Sequence, residues 1–351
     1  MARPEKTVIA FTHGQKHPST RFRILQYEKF FERQGWKIKT HNFWPRPIPV
    51  PANSSAITRF YARAAKFLRT LRVMAALRNH RHAHAILVNR EAPSALFPFL
   101  KQGKKLIVDF DDAVYLGSEG KNFAKLCQGA SRIVAGNATL AAPVRDWNMA
   151  ATIIPTVVDP NLYHAKKDYA LARPARIGWI GSSYSIQDSL FPILPLLADL
   201  QRTLSFELVV ISHPRPIIQQ DGLAWRFLEW SPQTEANLAD LIDIGIMPLE
   251  DTDYQRGKCG AKLLQYMAAS IPAVASPFGV NTDIIRHGET GLLAQNAEEW
   301  RTALTCLMED INLRTKLGKA GQVLVCSDYS VERWGPVWTN LLDGLITSRE
   351  P

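Results

Sequence analysis

The chain has 351 residues, 46% of them hydrophobic and 21% charged, with a formal net charge of +10. That length and mixture fit a globular protein of two domains and exclude a disordered or low-complexity chain. No run of about 18 apolar residues occurs, so no spanning helix is expected. The apolar run at 7–11 is too short for a secretory signal, which predicts a cytoplasmic protein.

The charge is unevenly spread. Residues 1–170 carry 27 Lys and Arg against 11 Asp and Glu, a net of +16; residues 171–351 carry 15 against 21, a net of −6. Between Glu32 and Glu91 there is no acid, yet twelve Lys or Arg occur. Such a field attracts phosphate, whether on a lipid, an acceptor or a nucleic acid. A nucleic-acid partner is not expected, because no binding motif or aromatic-basic platform accompanies the charge. Cys127, Cys259, Cys306 and Cys326 lack paired or metal-ligand spacing and read as reduced thiols.

In chain order, residues 7–11 form a β-rich run, and 20–34 have helical apolar spacing closed by Gly35. Residues 37–42 alternate as a strand. Residues 59–81 put Phe60, Phe67, Leu71 and Met74 on one helical face and Arg59, Arg63, Lys66 and Arg69 on another. Such a helix packs on a sheet with its basic face in water, or lies on an anionic bilayer. The missing acids favour the bilayer, so peripheral association with the inner membrane face is expected. Strands are expected at 85–89, 105–110 and 132–135, and, after a charged and proline-bearing loop, at 176–180, 207–211, 244–247 and 273–275. Helices are expected at 298–308 and 330–346. This rhythm predicts an α/β protein with two Rossmann-like domains and a substrate cleft at the C-terminal ends of the strands. The expected boundaries are 1–165 for the first domain, 166–330 for the second and 331–351 for a terminal helix crossing back.

The most specific stretch runs through residues 257–276, with Gly257, Lys258, Gly260, Lys262 and Gln265. It continues through Gly279-Val280-Asn281 and the turn His287-Gly288-Glu289-Thr290-Gly291. It reads as a glycine loop, a helix, a strand and a second glycine loop. Backbone N–H groups at a helix start, beside two lysines, suit a diphosphate. A solvated basic loop before a core helix would give the same isolated signal.

These segments resemble the donor-binding half of the retaining GT-B glycosyltransferases of family 4. Asp243-Ile244-Gly245-Ile246-Met247-Pro248-Leu249 and Ile153-Ile154-Pro155-Thr156-Val157-Val158-Asp159 are similar to two further segments of that family, and order and spacing agree. The resemblance implies a hexose transferred from a nucleotide sugar to a glycan or lipid-linked acceptor, with retention and with no metal or other cofactor. The chain departs from the family at two acids, whose places are taken by Gly257 and Gln265. The Arg-Lys pair expected after the first strand is replaced by Gly181, Ser182 and Ser183. Arg256, Lys258 and Lys262 are therefore expected to supply the cationic charge that a desolvated diphosphate requires.

In the first half, Asp109-x-Asp111 at a strand end suggests a metal site when read alone. The resemblance instead places Asp111 and Asp112 near donor sugar and acceptor, where a carboxylate accepts a proton or binds hydroxyls. A helix-capping aspartate is the structural alternative. Arg21, Arg23 and Arg90, near the ends of strands, are expected to meet an acceptor or a phosphate. A nucleotide-sugar epimerase and a donor-binding protein without turnover share this pattern and remain alternatives.

Overall fold

A computed structural model describes residues 6–43, 55–100, 104–118, 120–147 and 149–347. The chain divides into two compact units, Met1–Pro155 with Trp334–Pro351, and Thr156–Arg333. Each is built on a fully parallel six-stranded sheet.

In the first unit the strands are β1 (Lys6–Thr12), β2 (Trp36–Asn42), β3 (Ala85–Asn89), β4 (Lys105–Phe110), β5 (Arg132–Ala135) and β6 (Ala151–Ile153). Their order is β2-β1-β3-β4-β5-β6. Every residue of β3 is buried, as is all of β4 after Lys105. Helices cover both faces of such a sheet, so its inner strands are apolar throughout instead of alternating. The expected helix over 20–34 is two short ones, Pro18–Arg23 and Glu28–Arg33, separated by a tighter turn over Leu25–Tyr27. The chain leaves helical geometry at Ile24, immediately after Arg23 turns its side chain into the sheet. Gly35 closes the second helix with φ +76, a left-handed value that costs glycine least. The terminal residues of the chain complete this unit. Trp338 packs edge-on against Tyr27 and Phe31, and Asp343 accepts from Lys6 and from the indole of Trp36.

The long helix Ala56–Asn79 belongs to the first unit, and its orientation corrects an expectation. Arg69, placed with the solvated basic face, is buried beside Val73 and Ala76, and burial lowers its pKa. The apolar face carrying Phe60 and Phe67 is exposed, as are Arg59, Arg63 and Lys66.

In the second unit the strands are β7 (Ala175–Ile180), β8 (Phe206–Ser212), β9 (Trp225–Glu229), β10 (Ile244–Met247), β11 (Ala273–Ala275) and β12 (Leu292–Leu293). Their order is β12-β11-β10-β7-β8-β9. Apolar residues of β7, β8, β10 and β11 form a core with the helices Leu194–Leu200 and Ala297–Glu309. Lys166 anchors the entry into this unit. Its ammonium is buried on Asp243 (3.1 Å) and on the carbonyls of Ala239 and Ile242, while Arg176 donates to both oxygens of Asp243. All four cysteines are free thiols. No described helix is long and apolar enough to cross a membrane.

Candidate functional site

In each unit the strand order reverses direction once, between β1 and β3 in the first and between β7 and β10 in the second. Ligands of open parallel sheets bind at such points, outside the carboxyl ends of the strands. The candidate residues gather at both.

In the second unit β7 and β10 pair only as far as Gly178 and Gly245 and then part. The hydroxyl of Tyr266 fills the gap. It accepts from the Ile180 N–H at 3.1 Å and lies 3.2 Å from the carbonyls of Gly178 and Ile246. A Cβ on Gly245 would strike the ring, which is why a glycine interrupts this strand. Tyr266 thereby fixes the helix Ala261–Ala268 over the strand ends, and with it Lys262 and Gln265. Burial pushes the Tyr266 pKa far up, so the phenol stays neutral.

Gly181 follows β7. A Cβ there would lie 2.6 Å from Trp179 and 2.9 Å from Cε of Lys262, so the lysine stem crosses directly over this loop. The Lys262 ammonium stands 5.0 Å from the centre of the Trp179 ring. Gly260 begins the helix at φ +69, and no side chain caps the helix's first N–H groups. Uncapped donors at a helix start, with a cation beside them, form an anion site. The second glycine loop packs against the first: a Cβ on Gly279, at φ +56, would collide with the Arg256 carbonyl, and one on Gly260 would come within 3.3 Å of Val280. Ser182 and Ser183 are half-buried in the Gly181 loop, and the Ser183 hydroxyl lies 3.4 Å from the His213 carbonyl.

The other expected donor residues separate. Gln265 is buried, and among the described residues its amide has no hydrogen-bond partner. Lys258 lies 4.6 Å over the Tyr254 ring. Arg256 is held by Asp251 at 2.5 and 3.0 Å, which satisfies its charge within its own loop. Asn281 is a correction: its side chain is fully buried and donates to the Ser276 carbonyl at 2.9 Å. It shapes the loop, and its Oδ1 is sealed from solvent without a hydrogen-bond partner among the described residues.

In the first unit Arg23 is likewise a correction. Its guanidinium is 1% exposed, bound to Asp109 through Nε and Nη2, and donates from Nη1 to the Ile154 carbonyl at 2.7 Å. Asn89 completes the enclosure by donating to Asp109 at 3.0 Å. This pair lies inside the sheet end and meets neither acceptor nor phosphate. Asp109 is thereby taken out of any Asp109-x-Asp111 metal pair. Among the described residues no group of three His, Cys, Asp or Glu could hold a metal ion.

Arg90 follows β3 in a left-handed conformation, φ +66. Such a conformation in a non-glycine residue is uncommon and concentrates at functional sites. Its backbone N–H donates to the Asp109 carbonyl at 2.6 Å, and its guanidinium grips Asp112 at 2.8 Å. Asp111, next to this pair, has one oxygen sealed from solvent without a hydrogen-bond partner. Burial first, and the Asp112 charge second, push its pKa up to about 6, against the opposing pull of Arg90 and Arg23. Asp111, Asp112 and Arg90 are thus brought together. Arg21 stacks on Phe22 at 5.0 Å. The sequence reading assigned no role to His13, whose Nε2 lies 3.8 Å from Glu91 and whose ring lies 5.2 Å from that of His17. It likewise assigned none to Tyr266; Gly245 in β10 was the signal for its ring.

Residues 174–310 match the family Glycosyl transferases group 1. Among curated protein sequences no significant match is found. Among solved structures, sucrose-phosphate synthase from Thermosynechococcus elongatus superposes with TM-score 0.74 at 13% identity, covering 98% of this chain and 100% of that one. Anabaena HepE in complex with UDP-glucose gives 0.69 at 12% identity, with 96% and 99% covered. A glycosyltransferase from Rickettsia africae gives 0.68 at 10%, with 99% and 100% covered. Over residues 174–310 the second unit is therefore similar to the glycosyl transferases group 1, and the chain as a whole has the two-domain GT-B fold.

Proposed function

We propose that the protein transfers a hexose from a nucleotide sugar to a glycan or lipid-linked saccharide, with retention of configuration. The observation that carries this reading is the convergence of Lys262, the Gly181 turn and the uncapped start of the helix Ala261–Ala268 at the strand-order reversal of the second unit. Those groups suit the diphosphate of a donor. Backbone donors and a lysine fixed before the reaction stabilise charge as it develops on the leaving group, and cost no reorganisation at that moment. Lys258 adds charge near the loop, and Gln265 offers its unpartnered amide to a ribose hydroxyl.

In the transfer, the bond between the sugar's anomeric carbon and the diphosphate oxygen breaks, and its electron pair leaves with the nucleoside diphosphate. A new bond forms from the acceptor oxygen to the same carbon, and the acceptor proton must go to a base. Asp111 suits that task on the first unit, because a pKa of about 6 lies near the working pH. Asp112, beside it in the chain, is gripped by Arg90. Arg21 stands as the remaining candidate for an anionic acceptor.

Two of the similar structures, Anabaena HepE and an alpha-glucosyltransferase, hold UDP or UDP-glucose, so UDP-sugars are the first donors to test. A thermal-shift panel of UDP-, GDP-, ADP- and dTDP-sugars should raise the unfolding temperature for one nucleotide, since a ligand bound only by the folded state stabilises it. Release of the free nucleotide should then require an acceptor. Stabilisation by none of them would refute the donor assignment. An altered sugar nucleotide formed without acceptor would point to an epimerase.

A further inference from the structure

A helix resting on a globular protein ordinarily buries its apolar face and shows water its polar one. The helix Ala56–Asn79 leaves a large apolar face in water beside its polar one. Its buried residues are Arg69, Val73 and Ala76. Turned outward are Phe60, Tyr61 and Phe67, each more than 60% exposed, together with Ile57, Leu68, Leu71 and Met74. At about 100° of rotation per residue these seven fall within an arc of roughly 140°, and the buried trio falls on the opposite side. Scattered exposed hydrophobics need no explanation, but a continuous stripe along one element marks a surface that something covers.

The charges say what kind of surface. Arg59, Arg63 and Lys66, all exposed, run along one border of the stripe, and Arg72 lies on the other. The helix carries no acid, nor does any residue between Glu32 and Glu91. An apolar stripe with aromatic rings, edged on both sides by long cationic chains, matches the boundary between acyl chains and anionic headgroups. The rings and aliphatic groups enter the acyl region while the cationic ends remain at headgroup level. With the net charge of its surroundings so far from zero, the helix would repel a second copy of itself.

We propose that the helix Ala56–Asn79 docks the protein onto an anionic lipid surface, lying in the interface with its Phe60–Phe67 face down. The surface binds independently of sugar transfer, so its test stands or falls apart from the reading above. The full chain is sedimented with vesicles of phosphatidylcholine alone and of phosphatidylcholine with one-third phosphatidylglycerol, at rising salt. Binding is expected on the anionic vesicles only, and it should weaken with salt because exposed charges are screened over about 8–10 Å. Arg59→Gln, Arg63→Gln and Lys66→Gln should each lower the partition coefficient about fivefold. Phe60→Ser and Phe67→Ser should each lower it roughly tenfold. Arg69→Gln, on the buried face, should lower it by less than the exposed charges do. The exposed substitutions should leave the unfolding temperature unchanged, which separates lost docking from lost folding. Equal binding to neutral vesicles, or no binding to either kind, would overturn the proposal. So would concentration-dependent self-association, seen by sedimentation velocity and abolished by Phe60→Ser with Phe67→Ser, because a second copy would then cover the stripe.

Discussion

The two units place their candidate residues at equivalent points, the one reversal of strand order in a parallel sheet, but build them from different materials. The second unit uses backbone: left-handed glycines at Gly260 and Gly279, a bare helix start, and one lysine laid across Gly181. The first unit uses side-chain charge, with Arg23 and Asp109 sealed inside and Arg90 holding Asp112 at the rim. A backbone site keeps donor groups ready whether or not a ligand is present. A site of paired side chains largely satisfies itself, and here it leaves a carboxyl oxygen of Asp111, whose pKa is raised, without a hydrogen-bond partner. The first arrangement suits a fixed anion and the second suits proton transfer.

The sharpest way to break this contrast is Arg23→Leu. If the arginine is internal structure, removing it leaves Asp109 as a buried charge without its partner, and stability should fall by about 3–5 kcal/mol. Arg21→Ala, two residues away, should stay within about 0.5 kcal/mol. Urea unfolding of both variants, followed by near-ultraviolet circular dichroism, measures the difference. Equal and small losses would return Arg23 to the candidate ligand residues.

On the backbone-built side, Lys262→Ala should weaken nucleotide-sugar binding by about 1.5–3 kcal/mol, the range for a hydrogen bond to a charged group. Lys258→Ala should fall within the same range at its lower end. Arg256→Ala should cost less than about 1 kcal/mol, because Asp251 already holds that exposed guanidinium. Calorimetric titration orders the three. Unchanged affinity in both lysine variants would remove the cationic half of the site.

The division of roles on the charge-built side predicts a signature in pH. The Asp111 pKa is raised in the folded chain, from 3.8 to about 6. Below about pH 4 the carboxyl is protonated in both folded and unfolded chains. As pH rises from about 4 to 6 the unfolded chain releases the proton first, so stability declines through that window and the loss is complete above it. Asp111→Asn should lack this decline, a difference of order 1–2 kcal/mol once the solvent reaching a half-buried group is allowed for. If Asp111 is the base, kcat of the native protein should also fall below about pH 6, and that acid limb should vanish from the residual activity of the variant. Parallel pH profiles for both proteins would assign the proton elsewhere.

The same contrast decides what was legible beforehand. All the inner strands of both sheets were expected within a residue or two, because burial on both faces gives unbroken apolar runs such as Ala85–Asn89. The strands not expected, β6, β9 and β12, are three of the four sheet edges. Two or more residues in each of β6 and β9 remain partly exposed, and β12 is two residues long. The interlocked glycine loops of the second unit were legible because a left-handed turn leaves its mark in residue type. Nothing in a sequence tells a guanidinium that points inward from one that points outward. Arg23 and Arg69 were therefore both expected at surfaces, and both are buried. The direction in which Ala56–Asn79 faces is set by its packing on the first unit, so its periodicity alone left two orientations open.

The smallest expected effect tests the oldest ambiguity in the chain, the Asp109-x-Asp111 spacing. A metal site there would need both carboxylates turned toward one ion. Asp109 is instead closed off by Arg23 and Asn89, with Nε and Nδ2 contacts of 3.1 and 3.0 Å. Asp112, the next carboxylate, is claimed by Arg90. An ion would have to displace two arginines to gain ligands, at a cost in buried unpaired charge of several kcal/mol. In the proposed transfer, charge on the departing diphosphate would fall to Lys262 and the helix start instead. Turnover should therefore be unchanged in excess EDTA and unchanged again when magnesium or manganese is restored. Loss on chelation with recovery on adding either ion would show that the first unit rearranges to bind metal, and that its inward charge pairs are only the resting state.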